Sequence, residues 1–227
     1  MPPVTDPQNC GMVVNLSEQY SLLSDWMAEV RDIDIQKDRL RFRFNMERIG
    51  EIAAYEISKT LPFKTREVQT PLGTASCKTA IEQPVLATIL RAGIPLHTGL
   101  SRFFDHSGHA FVGAYRKHRE DGSFDISLDY LSCPPLEGRI LILADPMLAT
   151  GSSLVKTLDQ LLKVGIPAQI HLVCVVAATE GIARIKKSYP EAFIWAGDID
   201  NLLNEKGYIL PGLGDAGDLA YGGKTQQ

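Results

Sequence analysis

The chain has 227 residues, 44% hydrophobic and 22% charged, enough to bury a full core as one globular domain without staples. Lys and Arg number 23 against 27 Asp and Glu, a net charge of −4, so no global basic field exists to hold a nucleic acid and no such partner is expected. The four cysteines, Cys10, Cys77, Cys133 and Cys174, lack C-x-x-C spacing, and no apolar run reaches the ~18 residues of a membrane span. A zinc site, a disulfide framework and a membrane partner are therefore not indicated. The N-terminus MPPVTDPQNC lacks a basic region followed by an apolar one, so the chain reads as untargeted and cytoplasmic.

Residues 1–15 are Pro-rich and polar and read as an arm. Ser17 can cap a helix to about Val30, with Leu22, Leu23, Trp26 and Val30 on one face. Asp32 to Lys37 interrupts it. Leu40, Phe42, Phe44, Ile49, Ile52, Ala53 and Ile57 predict a second helix from Asp38 to Thr60, ended by Pro62. Its start, RLRFRF, reads as a solvated face with ion pairs rather than a nucleic-acid surface. Glu67 to Glu82 is polar and weakly β, with Gly73 at a hairpin tip.

Pro84 to Leu90 is a buried strand, with Arg91-Ala92-Gly93 at its C-terminal end before a helix starting near Pro95. An Arg there, followed by small residues, can set a guanidinium and bare N–H groups against a polyphosphate. Ala110 to Tyr115 predicts a strand, Arg116 to Gly122 a charged loop, and Phe124 to Tyr130 a returning strand, making a hairpin with a basic tip. Such an arm can close over an anionic substrate. The histidines, including His106 and His109, read as loop surface without a role.

The most informative stretch is Arg139 to Leu154, RILILADPMLATGSSL. Ile140 to Ala144 has the composition of a central parallel strand, and Asp145 and Pro146 stand at its end. Thr150-Gly151-Ser152-Ser153 then opens the amphipathic run LVKTLDQLLKVG. Small side chains, hydroxyls and N–H groups at the positive end of a helix dipole suit a phosphate monoester. A lone carboxylate beside them suits ribose hydroxyls. A plain capped turn can carry the same residues, but this one is longer than a cap needs. The Lys and the spaced Gly of a nucleotide P-loop are missing. Strands at Gln169 to Val176 and Phe193 to Ala196, with a helix from Thr179 or Glu180 to Tyr189 between them, complete an α/β domain with a mainly parallel sheet.

Near the C-terminus, Gly212, Gly214 and Gly217 satisfy G-x-G-x-x-G formally, but no βαβ unit follows. The segment KGYILPGLGDAGDLAYGG is better read as a backbone cradle for a small planar base, with a Tyr over its face.

Three motifs, ILRAG, DPMLATG and GYILPGLGDAGDLAYG, resemble those of the uracil branch of the type I phosphoribosyltransferases, closely over residues 84–223 and loosely over 16–83. Pro146 stands where most of the wider family has a second acid, as in the uracil branch. The resemblance implies a type I phosphoribosyltransferase-like α/β fold: a mainly parallel sheet flanked by helices, with N-terminal helices, a β-hairpin arm and a C-terminal base-binding hood. It implies a single domain over 1–227, with an arm (1–15), core (84–200) and hood (201–227). It further implies transfer of the phosphoribosyl group from phosphoribosyl pyrophosphate (PRPP) to uracil, giving UMP and pyrophosphate. PRPP would be bound by Arg91, Arg116, Asp145, Pro146, Met147, Leu148, Ala149, Thr150, Gly151, Ser152, Ser153 and Asp215. Of these, Arg91 and Arg116 would hold the pyrophosphate, Asp145 the ribose hydroxyls, and Ala149 to Ser153 the 5′-phosphate. Uracil would be bound by Tyr208, Ile209, Gly214, Asp215 and Ala216, with Asp215 also facing the ribosyl substrate and its metal. Mg²⁺ would be held mainly by substrate and water, without a dedicated protein cage. Lys117-His118-Arg119 departs from the more acidic family pattern after Arg116. Family members form homodimers or larger assemblies and some respond to GTP, although the sequence shows no effector site. A nucleotide- or RNA-binding regulator on the same fold, and a transferase for another base, are the alternatives; the C-terminal segment argues against the second.

Overall fold

Apolar, β-branched runs dictate the centre of the molecule. The computed structural model describes residues 11–118 and 124–223, with the backbone alone over 114–129 where it is described. The N-terminal part comprises β1 (Val13–Asn15), a 3-10 turn, α1 (Leu22–Arg31), a second 3-10 turn, α2 (Arg39–Ser58) and a hairpin of β2 (Phe63–Thr70) and β3 (Gly73–Ala80). Then come β4 (Val85–Leu90), α3 (Ile94–Phe103), β5 (Gly108–His118), β6 (Phe124–Ser132), β7 (Ile140–Ala144), β8 (Met147–Leu148) and α4 (Ser152–Leu161). The chain continues through β9 (Gln169–Ala178), α5 (Thr179–Ser188), β10 (Phe193–Asp200), β11 (Leu202–Leu203), β12 (Ile209–Leu210) and α6 (Ala216–Tyr221).

The main sheet runs β1-β10-β9-β7-β4-β5-β6, with β8 also paired to β9. All its pairings are parallel except β5 with β6. The fold is therefore the α/β one expected, with a mainly parallel sheet flanked by helices. Alternate residues of each central strand feed opposite cores. Leu86, Ile142, Val173 and Trp195 pack with α1, α2 and α3, while Val85, Leu141, Leu172 and Ile194 pack with α4 and α5. Each fully buried Leu or Ile contributes ~2 kcal/mol, so both faces are needed to hold the strands in register.

Several boundaries differ from those expected. Val13–Asn15, at the end of the stretch read as an arm, adds a parallel edge strand against Ile194–Ala196; residues 1–10 lie outside the described residues. The first helix is capped by Ser21, whose Oγ accepts from Leu23 N at 3.2 Å, and not by Ser17, whose hydroxyl donates to Gly197 O at 2.6 Å. Leu22 is consequently exposed, and Met27 takes its expected place in the core. β5 continues through Arg116 to His118, opposite Ile126 to Phe124, where a charged loop was expected. The tip expected to be basic lies outside the described residues.

Candidate active site

Strand order decides where a site can lie. From β4 the chain crosses through α3 to β5 on one side, and from β7 through α4 to β9 on the other. α3 and α4 lie on opposite faces of the sheet, so their connections diverge beyond the C-terminal ends of neighbouring β4 and β7. A crevice at such a switch point is where open α/β sheets bind ligands. Arg91 leaves β4 and Asp145 leaves β7 on its two sides.

Asp145 is anchored through its backbone N–H, which donates to Val173 O at 3.0 Å. Burial pushes its carboxyl up to about 7, only partly offset by the N–H of Met147. A carboxylate in this setting gains strongly from donors such as ribose hydroxyls. Burial, then Asp145, raise the neighbouring Cys174 thiol far above its ordinary range, so this cysteine is inert packing.

The rest of the loop divides by role. The Pro146 carbonyl accepts from Val175 N and Val176 N at 3.0 Å, and Leu148 is wholly buried. These two fix the loop to β9, so only their backbone can meet a ligand. Thr150 Oγ1 donates to Ser152 Oγ at 3.2 Å, and Gly151 caps α4 at φ +76°, a conformation that favours glycine. Ser152 and Ser153 occupy the first turn of α4, where N–H groups lack intrahelical acceptors.

On the β4 side the Leu90–Arg91 peptide is cis. Arg91 Nη2 donates to Gly222 O at 3.2 Å and lies 3.8 Å from Asp218 Oδ1, so the guanidinium is turned toward α6. A methyl group on Gly93 would sit 2.2 Å from Thr88 Oγ1 and 2.8 Å from Ala144 O. Gly93→Ala is expected to destabilise the protein by about 1–3 kcal/mol and to push the two strand-end loops apart. Thermal unfolding with PRPP titration would show both effects; an unchanged melting temperature and affinity would refute this.

The C-terminal glycine segment closes the crevice. β12 pairs antiparallel with β11, the Leu210–Pro211 peptide is cis, and Ile209, Leu213 and Ala216 are buried. A methyl on Gly207 would lie 3.5 Å from Thr150 Cγ2, and one on Gly217 would lie 3.7 Å from Ala92 Cβ. The segment therefore touches both the α4 loop and the Arg91 loop. Tyr208 is partly exposed, and Gly214 has φ +96°. Asp215 Oδ1 caps α6 by accepting from Asp218 N at 3.0 Å, a duty that sequence reading did not foresee.

Other residues that sequence reading missed hold this segment. Arg31 of α1 donates through Nη1 to Asp200 Oδ2 at 2.8 Å and to Gly212 O at 2.9 Å. Its Nη2 reaches Asp198 Oδ2 at 2.9 Å and Asp200 Oδ1 at 3.0 Å. Asp200 Oδ2 in turn accepts from Gly212 N at 2.9 Å. Arg43 donates to Ala220 O at 2.7 Å and stands over the Tyr221 ring, while Arg41 pairs with Glu29. The expected solvated arginine face is thus partly a clamp on α6. None of these pairings has a local sequence signal.

Arg116 lies in β5, and its side chain is outside the described residues. The histidines are not uniformly loop surface. His97 is buried on α3 with Nε2 3.1 Å from His109 Nδ1, and burial, then His109, bring it down to about 4. His171 is buried and accepts from Trp195 Nε1 at 3.1 Å. Both are neutral packing groups away from the crevice; His106 is exposed as expected.

Two strand-end loops at a topological switch, one with an Arg and one with an acid before a helix, roofed by a glycine segment, are the arrangement that the resemblance to the type I phosphoribosyltransferases implies. A family model described as uracil phosphoribosyltransferase matches residues 17–223. A uracil phosphoribosyltransferase of Porphyromonas gingivalis is 47% identical over 213 residues, covering 93% of this chain and 99% of the relative. One from Pyrococcus furiosus is 39% identical over 90% of this chain and 88% of the relative. A solved structure from Aquifex aeolicus superposes with a TM-score of 0.82 at 32% identity, covering 93% of this chain and 98% of that one. The chain belongs to the uracil phosphoribosyltransferase family.

Proposed function

We propose that the protein transfers the 5-phosphoribosyl group of PRPP to uracil, forming UMP and pyrophosphate in pyrimidine salvage. The observation that carries this is the glycine segment's contact with both strand-end loops, since a base must meet the sugar of a bound phosphoribosyl group.

As the bond to pyrophosphate breaks, the sugar C1 takes on oxocarbenium character, and uracil N1 forms the new bond while its proton passes to the departing pyrophosphate or to water. The protein's work is positioning and charge stabilisation. Arg91, turning from Gly222 and Asp218, and Arg116 would grip the pyrophosphate. Asp145 would accept from the ribose hydroxyls, and the backbone of Ala149 to Ser153 with the Ser152 hydroxyl would hold the 5′-phosphate. The main chain of Ile209 and of Gly214 to Ala216 would read the uracil edge, with Tyr208 over its face. Fixed backbone donors match a 4-oxo group and reject a 4-amino one.

The carboxylate donors here, Asp145 and Asp215, suit a hard, oxygen-seeking cation, and no group of three or more metal-ligating side chains occurs among the described residues. Mg²⁺ held largely by substrate oxygens and water fits such a set; when bound, it would neutralise diphosphate charge. We further propose a homodimer or larger assembly in the cytoplasm, which the apolar Leu40, Phe44 and Tyr55 exposed along α2 and the free Cys77, Cys133 and Cys174 support. No helix among the described residues is long and apolar enough to cross a membrane.

The test is UMP formation from PRPP and Mg²⁺ with uracil, cytosine or orotate, each with and without GTP. Turnover is expected with uracil alone, and stimulation by GTP would establish it as an effector. Turnover with cytosine or orotate, or with no base at all, would overturn the assignment.

A further inference from the structure

The segment from Asp145 to Ser153, DPMLATGSS, contains no basic residue. A phosphate monoester held only by its N–H groups and hydroxyls would keep most of its negative charge, about −1.5 to −2 at neutral pH. The packing of α5 against this loop supplies a cation. A methyl on Gly181 would stand 2.3 Å from Ala149 O and 2.8 Å from Leu148 O, so α5 meets the loop backbone to backbone. Three residues on, on the same helix face, the stem of Arg184 lies 3.4 Å from where a Gly151 methyl would be. Its guanidinium donates through Nη1 to Ser152 Oγ. No carboxylate pairs with Arg184 among the described residues, and its side chain is exposed toward solvent.

The Ser152 hydroxyl makes the arrangement informative. It accepts from Thr150 Oγ1 and from Arg184, so both its lone pairs are engaged and its own proton is left to donate. That proton needs an acceptor, and an anionic oxygen beside the Arg184 guanidinium meets the need with a charge-assisted partner. We propose that Arg184 is a phosphate-binding residue of this site, reaching from α5 to the 5′-phosphate that Ala149 to Ser153 cradle. This rests on reading that loop as the monoester site. With Arg91 on the pyrophosphate side, the substrate then has a cation toward each end. Arg184 itself discriminates substrates by their 5′-phosphate, whatever base is used.

The test compares the full-length protein with Arg184→Ala and Arg184→Lys. Calorimetric binding of ribose 5-phosphate is measured with the KM for PRPP and inhibition by UMP and by pyrophosphate. Arg184→Ala is expected to weaken ribose 5-phosphate and UMP about tenfold and to raise the KM for PRPP similarly. It should leave kcat, the KM for uracil and pyrophosphate inhibition within twofold, with Arg184→Lys recovering part of the loss. Unchanged or tighter ribose 5-phosphate binding by Arg184→Ala, or an equal loss for pyrophosphate, would overturn the assignment. If the unsubstituted protein binds no ribose 5-phosphate, the monoester reading of the loop falls and Arg184 falls with it. If it binds ribose 5-phosphate but makes no UMP, the reaction is wrong, and the Arg184→Ala binding comparison still decides this inference.

Discussion

Asp145→Asn is expected to lower kcat/KM by roughly 100-fold or more while making the substrate-free protein more stable above pH 7. The two effects share one cause. Burial raises the Asp145 carboxyl to about 7, against an ordinary value of 3.8, so folding favours its protonated form. The unfolded chain releases that proton near its ordinary value, so native stability falls as pH rises between the two values and stays reduced above about 7. The amide of Asn keeps an oxygen for the Met147 N–H and never ionises, which removes a penalty on the order of 2–4 kcal/mol at pH 8.5. It also removes the negative charge that would accept from ribose hydroxyls. Thermal unfolding at pH 5.5 and 8.5 and steady-state rates check both parts. A gain in melting temperature at pH 8.5 that shrinks to roughly half at pH 5.5 is expected, and an equal change at both would contradict the burial argument. The KM for PRPP in the unsubstituted protein should likewise fall as pH rises through 7.

Arg31→Ala should produce the other large effect, although Arg31 contacts no predicted substrate group. It leaves Asp200, 7% exposed, as a buried carboxylate without its cation and strips the donor from Gly212 O. Breaking a buried pair this way costs about 3–5 kcal/mol. Arg31→Lys cannot restore it, since one ammonium cannot reproduce four bonds from a planar fork. Released from Arg31, the turn at Gly212 no longer fixes Ile209 and Gly214, so the KM for uracil is expected to rise more than tenfold while that for PRPP changes little. Urea unfolding and separate KM determinations measure this. An unaltered KM for uracil would mean that packing of Ile209 and Leu213 alone holds the segment.

The features legible in the sequence were those that repeat locally. Val85–Leu90 and Ile140–Ala144 are buried on both faces and read as continuous apolar runs. Gly73 marked the hairpin that joins β2 and β3. Choices set by distant partners were not legible. Ser17 and Ser21 are equivalent as capping residues until the Gly197 carbonyl takes the hydroxyl of the first. The β5 strand outran its apolar residues because β6 pairs with Arg116 to His118 through backbone bonds that ignore side-chain polarity. His97 looked like any surface histidine because its burial depends on His109 and Phe111, which β5 brings beneath α3. At the site, the residues that resemble ligand contacts were found from motifs. Those that hold them, Arg31, Asp200, Arg43 and Arg184, act across the fold.

The clamps on the C-terminal segment join Arg31 to Gly212, Arg43 to Ala220 and Arg91 to Gly222, across 181, 177 and 131 residues of sequence. Closing loops of that length has an entropic cost that local contacts do not repay. The C-terminal glycine segment is therefore expected to order after the central sheet and its N-terminal helices are in place, and to open first when stability is eroded. On the proposed site, a chain whose sheet is complete would already hold a sugar phosphate, and recognition of the base would be the last competence acquired in folding and the first lost.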